Sequence, residues 1–149
     1  MKYFTIAELT RTNHAIDNRP TQAQEENLKL LVEKVLDPAR EEFGQPIKVT
    51  SGFRSEELNK KIGGAHKYKD GVYIATSQHC TGEAADIQCS DNKKLFRILA
   101  DMEFDQLIYE FGTDEQPAWI HVSYSRKKNR NQILRAKKSK EKTIYESMY

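Results

Sequence analysis

Cysteine is scarce. The chain has only Cys80 and Cys89, too few for a disulfide-built scaffold, and this usage fits synthesis inside a cell. No apolar run nears the ~20 residues that a bilayer span needs. Met1-Lys2-Tyr3-Phe4-Thr5 lacks the apolar core of a secretory signal. Neither charge sign dominates: 24 Lys and Arg against 22 Asp and Glu leave +2. That excludes a histone-like polycation, though not a local basic patch. No internal repeat and no Gly/Ser linker divides the chain. What remains is 149 residues, 38% hydrophobic, 31% charged and 9% aromatic. This is one globular domain by length, able to hide roughly 70% of its unfolded surface.

Leu28, Leu31, Val32, Val35, Leu36, Ala39 and Phe43 recur at three- and four-residue steps, which predicts one apolar helix face within 21–43. Thr21 and Gln24 can form its capping box, and Pro38 predicts a kink or break. Pro46 to Thr50 reads as a short strand. Ser55 can cap a helix carrying Glu56 and Glu57 in its first turn, which Gly63-Gly64 stops. His66 to Thr76 is polar and contains Gly71, which predicts a loop. Glu83 to Cys89 reads as a buried strand. Ser90 or Asp91 can cap a helix burying Leu95, Ile98, Leu99 and Met102. Phe104 to Phe111 and Ala118 to Tyr124 read as strands joined by a turn. Helices and strands intermix without a βαβ period, which predicts an α+β fold.

Of the four histidines, His14 and His66 lie in polar, loop-like surroundings and read as surface residues. His79 lies in Ser77-Gln78-His79-Cys80-Thr81-Gly82-Glu83-Ala84-Ala85-Asp86. There Gly82 permits a tight turn that brings His79 and Asp86 to one spot. His121 sits in Trp119-Ile120-His121-Val122-Ser123, a strand pattern that holds an imidazole rigidly. Two imidazoles and a carboxylate suit a three-ligand zinc site with an open fourth position, where water becomes a nucleophile near neutral pH. By spacing alone, a turn-capping His79 and a satisfied strand His121 explain the pattern equally well.

Three words occur in order: Ser51-Gly52-Phe53-Arg54-Ser55, Ser77-x-His79-x-x-Gly82-x-Ala84-x-Asp86, and Trp119-Ile120-His121-Val122-Ser123. Together they resemble the zinc D-Ala-D-Ala metallopeptidases. That group includes phage L-Ala-D-Glu endolysins and, more distantly, lysostaphin-like enzymes and hedgehog signalling domains. The resemblance runs from about Tyr3 to Tyr124. It implies an α+β fold with a small antiparallel sheet carrying the metal and flanked by helices, as a domain over 1–125 with a basic tail over 126–149. It implies Zn²⁺ held by His79, Asp86 and His121. Arg54 matches the arginine that holds a substrate carboxylate, a role suited to a guanidinium fork; a surface ion pair with Glu56 or Glu57 is the alternative. Ser77 matches a serine that contacts substrate, or it ties down the turn.

The chain departs from this pattern at the base. Many relatives carry Asp or Glu three residues before the last histidine, where this chain has Ala118. A base must accept a proton from the attacking water. Phe104-Asp105-Gln106-Leu107-Ile108-Tyr109-Glu110 resembles the acid-bearing segment of the hedgehog branch, and a 104–111/118–124 hairpin puts Glu110 beside His121. Glu110 is therefore the expected base, with Glu115 as the alternative and an exposed strand-end acid as the bland reading. The 66–76 stretch is longer than in relatives and offers Tyr68, Tyr73 and Ile74 to a substrate groove. Cys80 reads as a buried structural thiol pointing away from the metal, and a Cys80–Cys89 disulfide is not expected.

Arg126, Lys127, Lys128, Arg130, Arg135, Lys137, Lys138, Lys140 and Lys142 make the tail basic. It reads as a solvated, partly frayed end, or as a site attracting an anionic wall polymer. No aromatic-interleaved motif supports nucleic-acid binding. The leading expectation is a zinc peptidase acting on peptidoglycan stem peptides, as a D,D-carboxypeptidase or an endopeptidase. It would be made in the cytoplasm and reach the wall after release, as a phage or prophage endolysin does. The alternative is a zinc-stabilised, non-catalytic module binding wall fragments or a protein partner.

Overall fold

The computed structural model describes residues 1–148. Thr5 caps a one-turn helix, α1 (Ile6–Leu9). Thr21 and Gln24 form a reciprocal capping box that opens α2 (Gln22–Leu31). Of the kink or break expected at Pro38, no break occurs; the helix is distorted instead just before it. The backbone widens into a π-helical turn over Val32–Leu36, with the Asp37 N–H donating to the Val32 carbonyl, and runs on into α3 (Asp37–Phe43). The wide turn lets the helix pass Pro38, which has no N–H to give to the preceding turn, without stopping. All seven apolar residues expected on this face are buried.

β1 (Ile47–Ser51) precedes α4 (Glu56–Ile62), which Ser55 caps and Gly63 ends. The 66–76 stretch is not a loop. It forms the antiparallel pair β2 (His66–Lys69) and β3 (Val72–Ala75). Asp70 and Gly71 both take positive φ, 53° and 77°, as a two-residue hairpin turn requires. β4 (Ala84–Cys89) leads to α5 (Asn92–Ala100), capped by Asp91 and burying Leu95, Phe96 and Leu99. β5 (Gln106–Glu110) and β6 (Trp119–Ser123) form the expected hairpin.

The basic end is not frayed. It folds as β7 (Gln132–Ser139) and β8 (Lys142–Ser147). Apolar residues at 133, 134 and 136, none exposed, give it a place in the sheet that its lysines disguise. The six-stranded order is β1-β4-β6-β5-β7-β8, antiparallel except for the parallel β5–β7 pair. The fold is thus α+β, with the main sheet flanked by helices.

One face of the sheet, with Ile87, Leu107, Tyr109, Ile120 and Val122, packs on Leu28, Leu31, Val35, Leu36, Leu95 and Leu99. Each such burial contributes roughly 1.5–3 kcal/mol. Strand alternation sends Asp86, His121, Ile108 and Glu110 to the opposite face. That face holds the chemistry.

Candidate metal centre

Asp86 and His121 are cross-strand partners on β4 and β6, so the sheet itself fixes their spacing. His79 arrives from a 3₁₀ turn over Gln78–Thr81, whose N-terminus Ser77 caps by accepting from the His79 N–H at 3.2 Å. The Arg54 N–H donates to the His79 carbonyl at 3.1 Å, docking the Ser51–Ser55 segment on this turn.

His79 is 3% exposed. Its Nδ1 lies 2.8 Å from the Gly52 carbonyl. A carbonyl only accepts, so Nδ1 carries the hydrogen and Nε2 keeps its lone pair. That Nε2 is 3.4 Å from Asp86 Oδ1, and His121 Nδ1 is 3.1 Å from the same oxygen. Tetrahedral zinc with bonds near 2.0–2.1 Å sets its ligands about 3.3 Å apart. His79, Asp86 and His121 each offer a ligand atom, all within 4.8 Å of one another. The donor set therefore fits zinc in both chemistry and spacing.

The protonation states fit as well. Burial lowers the His79 imidazole below its ordinary range, outweighing the Asp86 charge. Burial alone would raise the Asp86 carboxyl, but His79 and His121 together hold it well below the usual carboxylate range. A neutral imidazole and an ionised carboxylate are the forms that bind a metal.

Arg54 lies beside this cluster, its side chain 12% exposed and Nη2 3.7 Å from Asp86 Oδ2. Among the described residues it makes no ion pair with Glu56 or Glu57. Its Nε donates to Ser51 Oγ at 3.2 Å and its Nη1 to Asn59 Oδ1 at 3.1 Å.

Glu110 pairs with Trp119, and Ile108 pairs with His121. The Glu110 side chain therefore emerges diagonally from His121 on the same face. It is 8% exposed, and burial pushes its carboxyl up to about 7, with smaller opposing effects of His121 and Asp86. Glu115 is exposed in the turn. Its charge acts on Tyr109, whose side chain lies on the opposite face of β5. Of the two acids, Glu110 is on the face that carries Asp86 and His121. Ala118 is exposed and carries no acid.

His14 and His66 are exposed. Cys80 and Cys89 are free thiols, both raised by burial, and neither joins the metal cluster. Sequence reasoning missed Asp105. It is 4% exposed, accepts three bonds from Arg130, from the backbone N–H at 3.1 Å, Nε at 2.9 Å and Nη2 at 2.8 Å, and one from Gln78 Nε2 at 2.8 Å. Arg130, by its bonds to the carboxylate, holds the Asp105 carboxyl at about 2. This braces the turn bearing His79 against β5. The Gln78-His79 adjacency is the only sequence signal for it.

The family model for Peptidase M15 matches residues 2–123, and the chain belongs to that family, the zinc D-Ala-D-Ala peptidases. Its members are zinc metallopeptidases. Among curated proteins none matches the chain. No helix of the described residues is long and apolar enough to cross a membrane.

Proposed function

We propose that the protein is a zinc-dependent peptidase hydrolysing peptidoglycan stem peptides, as a D,D-carboxypeptidase or an endopeptidase delivered to the wall in the manner of an endolysin. His79, Asp86 and His121 hold the zinc. When bound, the ion supplies Lewis acidity and makes water nucleophilic at neutral pH. The protein's own residues do the rest. Glu110 accepts the proton of the attacking water and returns it to the leaving amine. Arg54 holds a substrate carboxylate with its planar fork. Ser77 keeps its hydroxyl hydrogen available to a substrate carbonyl while its oxygen caps the turn.

The observation that carries this reading is the placement of Glu110. It supports catalysis where Ala118 by itself would favour a binding module. A carboxyl near pH 7 is suited to taking and returning one proton. The basic end has fewer free charges than its sequence implies, because Arg130, Arg135 and Lys137 pair with Asp105, Asp114 and Glu146. Its remaining lysines are what an anionic wall polymer would meet.

Digestion of purified muropeptides with zinc and with chelator, read by mass spectrometry, tests the proposal. Zinc-dependent loss of one peptide bond is expected, and the product masses name the bond. Stoichiometric zinc with intact muropeptides would make the protein a binding module instead.

A further inference from the structure

Asn59 is fully buried on α4, and its amide is surrounded in one orientation only. Nδ2 donates to the Ala65 carbonyl at 3.1 Å and to the Tyr73 hydroxyl at 2.9 Å. The Ala65 carbonyl can only accept, so the amide cannot be reversed. Oδ1 must then face Arg54, and it accepts from Nη1 at 3.1 Å. A chain of contacts thus runs from the β2–β3 hairpin through Asn59 to Arg54, beside Asp86.

Arg54 needs such a hold. Its Nη2 is 3.7 Å from Asp86 Oδ2, beyond hydrogen-bonding range. An unrestrained guanidinium would close on that carboxylate, occupying both the anion site and a metal ligand. The restraint comes from neutral acceptors, Ser51 Oγ on Nε and Asn59 Oδ1 on Nη1. They fix the fork without cancelling its charge. A guanidinium has five N–H groups. Two are used here, leaving three without a hydrogen-bond partner among the described residues, enough for a two-pronged carboxylate contact.

Gly64 belongs to the same device. A Cβ there would lie 1.9 Å from Asn59 Oδ1 and 2.7 Å from Arg54 Nη1. The second glycine of the Gly63-Gly64 pair therefore leaves room for the amide–guanidinium contact. Tyr73 is itself seated, stacked on His66 at 5.2 Å with Lys60 over its ring at 5.4 Å.

We propose that Asn59 and Tyr73 are positioning residues that hold Arg54 for a substrate carboxylate, so that the β2–β3 hairpin sets the preference for a free carboxylate over its amide. This rests on the reading of Arg54 under Proposed function.

The test uses zinc-loaded wild type, Tyr73→Phe, Gly64→Ala and Arg54→Lys. Each is assayed on the muropeptide that wild type cleaves and on the same peptide amidated at the carboxylate nearest the scissile bond. Wild type prefers the acid. Tyr73→Phe, which removes one hydroxyl from a half-exposed ring, keeps kcat and zinc content but raises KM for the acid alone. The acid-over-amide ratio falls about threefold to tenfold, as expected for one lost hydrogen bond. Gly64→Ala, by pushing on the amide and the fork, behaves likewise, and Arg54→Lys loses the preference. A merely structural Tyr73 would lower the melting temperature and leave the ratio unchanged, and an unchanged ratio overturns the proposal.

A second readout needs no substrate. Because Ser51 still holds Nε while Asn59 loosens on Nη1, the dispersed Arg54 guanidinium signals of wild type in nitrogen-15 NMR shift, with faster solvent exchange at Nη1, in Tyr73→Phe. If wild type cleaves no muropeptide, the proposed function fails and these signals decide the positioning claim by themselves. Arg54 signals unmoved by Tyr73→Phe overturn it.

Discussion

Glu110 is the residue on which catalysis and stability pull apart. As the proposed base it must act as a carboxylate, yet burial disfavours the charged form and raises the carboxyl to about 7. Glu110→Gln should lower kcat by about 10²–10⁴-fold while zinc content stays constant. Stability should move the other way. The folded-state value lies above the unfolded carboxyl value of about 4.3. The folded chain therefore retains a proton that the unfolded chain loses between these values, and stability falls as pH rises through about 7. Glutamine mimics the neutral acid and removes that loss. In chelator, Glu110→Gln should be more stable than wild type at pH 8.5 by on the order of 1–3 kcal/mol, and equal to it at pH 4, by urea denaturation. The same difference at both pH values would mean that Glu110 is not charged against its surroundings. Glu110 was legible in the sequence because its strand and turn were: alternation fixed its face. Asn59 and Asp105 were not. A buried polar side chain leaves no periodic trace, and its partners lie up to 27 residues away.

Elements were readable where a local rule governs them. Thr21 and Gln24 announce a capping box, and Ser55 with Gly63 bounds α4. Asp70-Gly71 is an equally local signal for a hairpin turn, but β2 is polar and β3 continuously apolar, so neither shows the alternation that marks a strand. Pro38 signals a disturbed helix, but no local rule says that the disturbance takes the form of a π-turn. The contact that locks elements together is the Asp105–Arg130 pair, which binds the His79 turn, the start of β5 and the approach to β7. Arg130 keeps the Asp105 carboxyl at about 2, below its unfolded value. The pair therefore stabilises the fold above about pH 4 and loses that effect as pH falls towards 2. Arg130→Ala should cost about 1 kcal/mol at pH 7, a value discounted because the arginine side chain is half exposed. The cost should shrink towards zero near pH 2. A pH-independent cost, measured by denaturation at both ends, would show that Arg130 contributes by packing and not by charge.

At the scale of the molecule, the family resemblance stops at residue 123, whereas the sheet does not. β7 lies parallel to β5, and Ala136 is fully buried between Glu110 and Tyr145 in the cross-strand register. Parallel pairing across a long connection is invisible to pattern reading, and a lysine-rich strand looks like a tail. Truncation after residue 131 should expose the β5 edge and remove several kcal/mol of burial, lowering the melting temperature by about 10 °C or more. A truncated chain melting like the full one would mean that the two strands are ornament. The metal centre is one constellation: a turn and two strands bring three side chains together, with ligand atoms within 4.8 Å of one another. Its most direct test is the zinc content of purified wild type and His121→Ala by plasma mass spectrometry after exhaustive dialysis. One zinc per chain in wild type is expected, with loss of the metal and a lower melting temperature in His121→Ala, since metal binding is linked to folding. Full zinc retention in His121→Ala, or none in wild type reconstituted with the ion, would contradict the account.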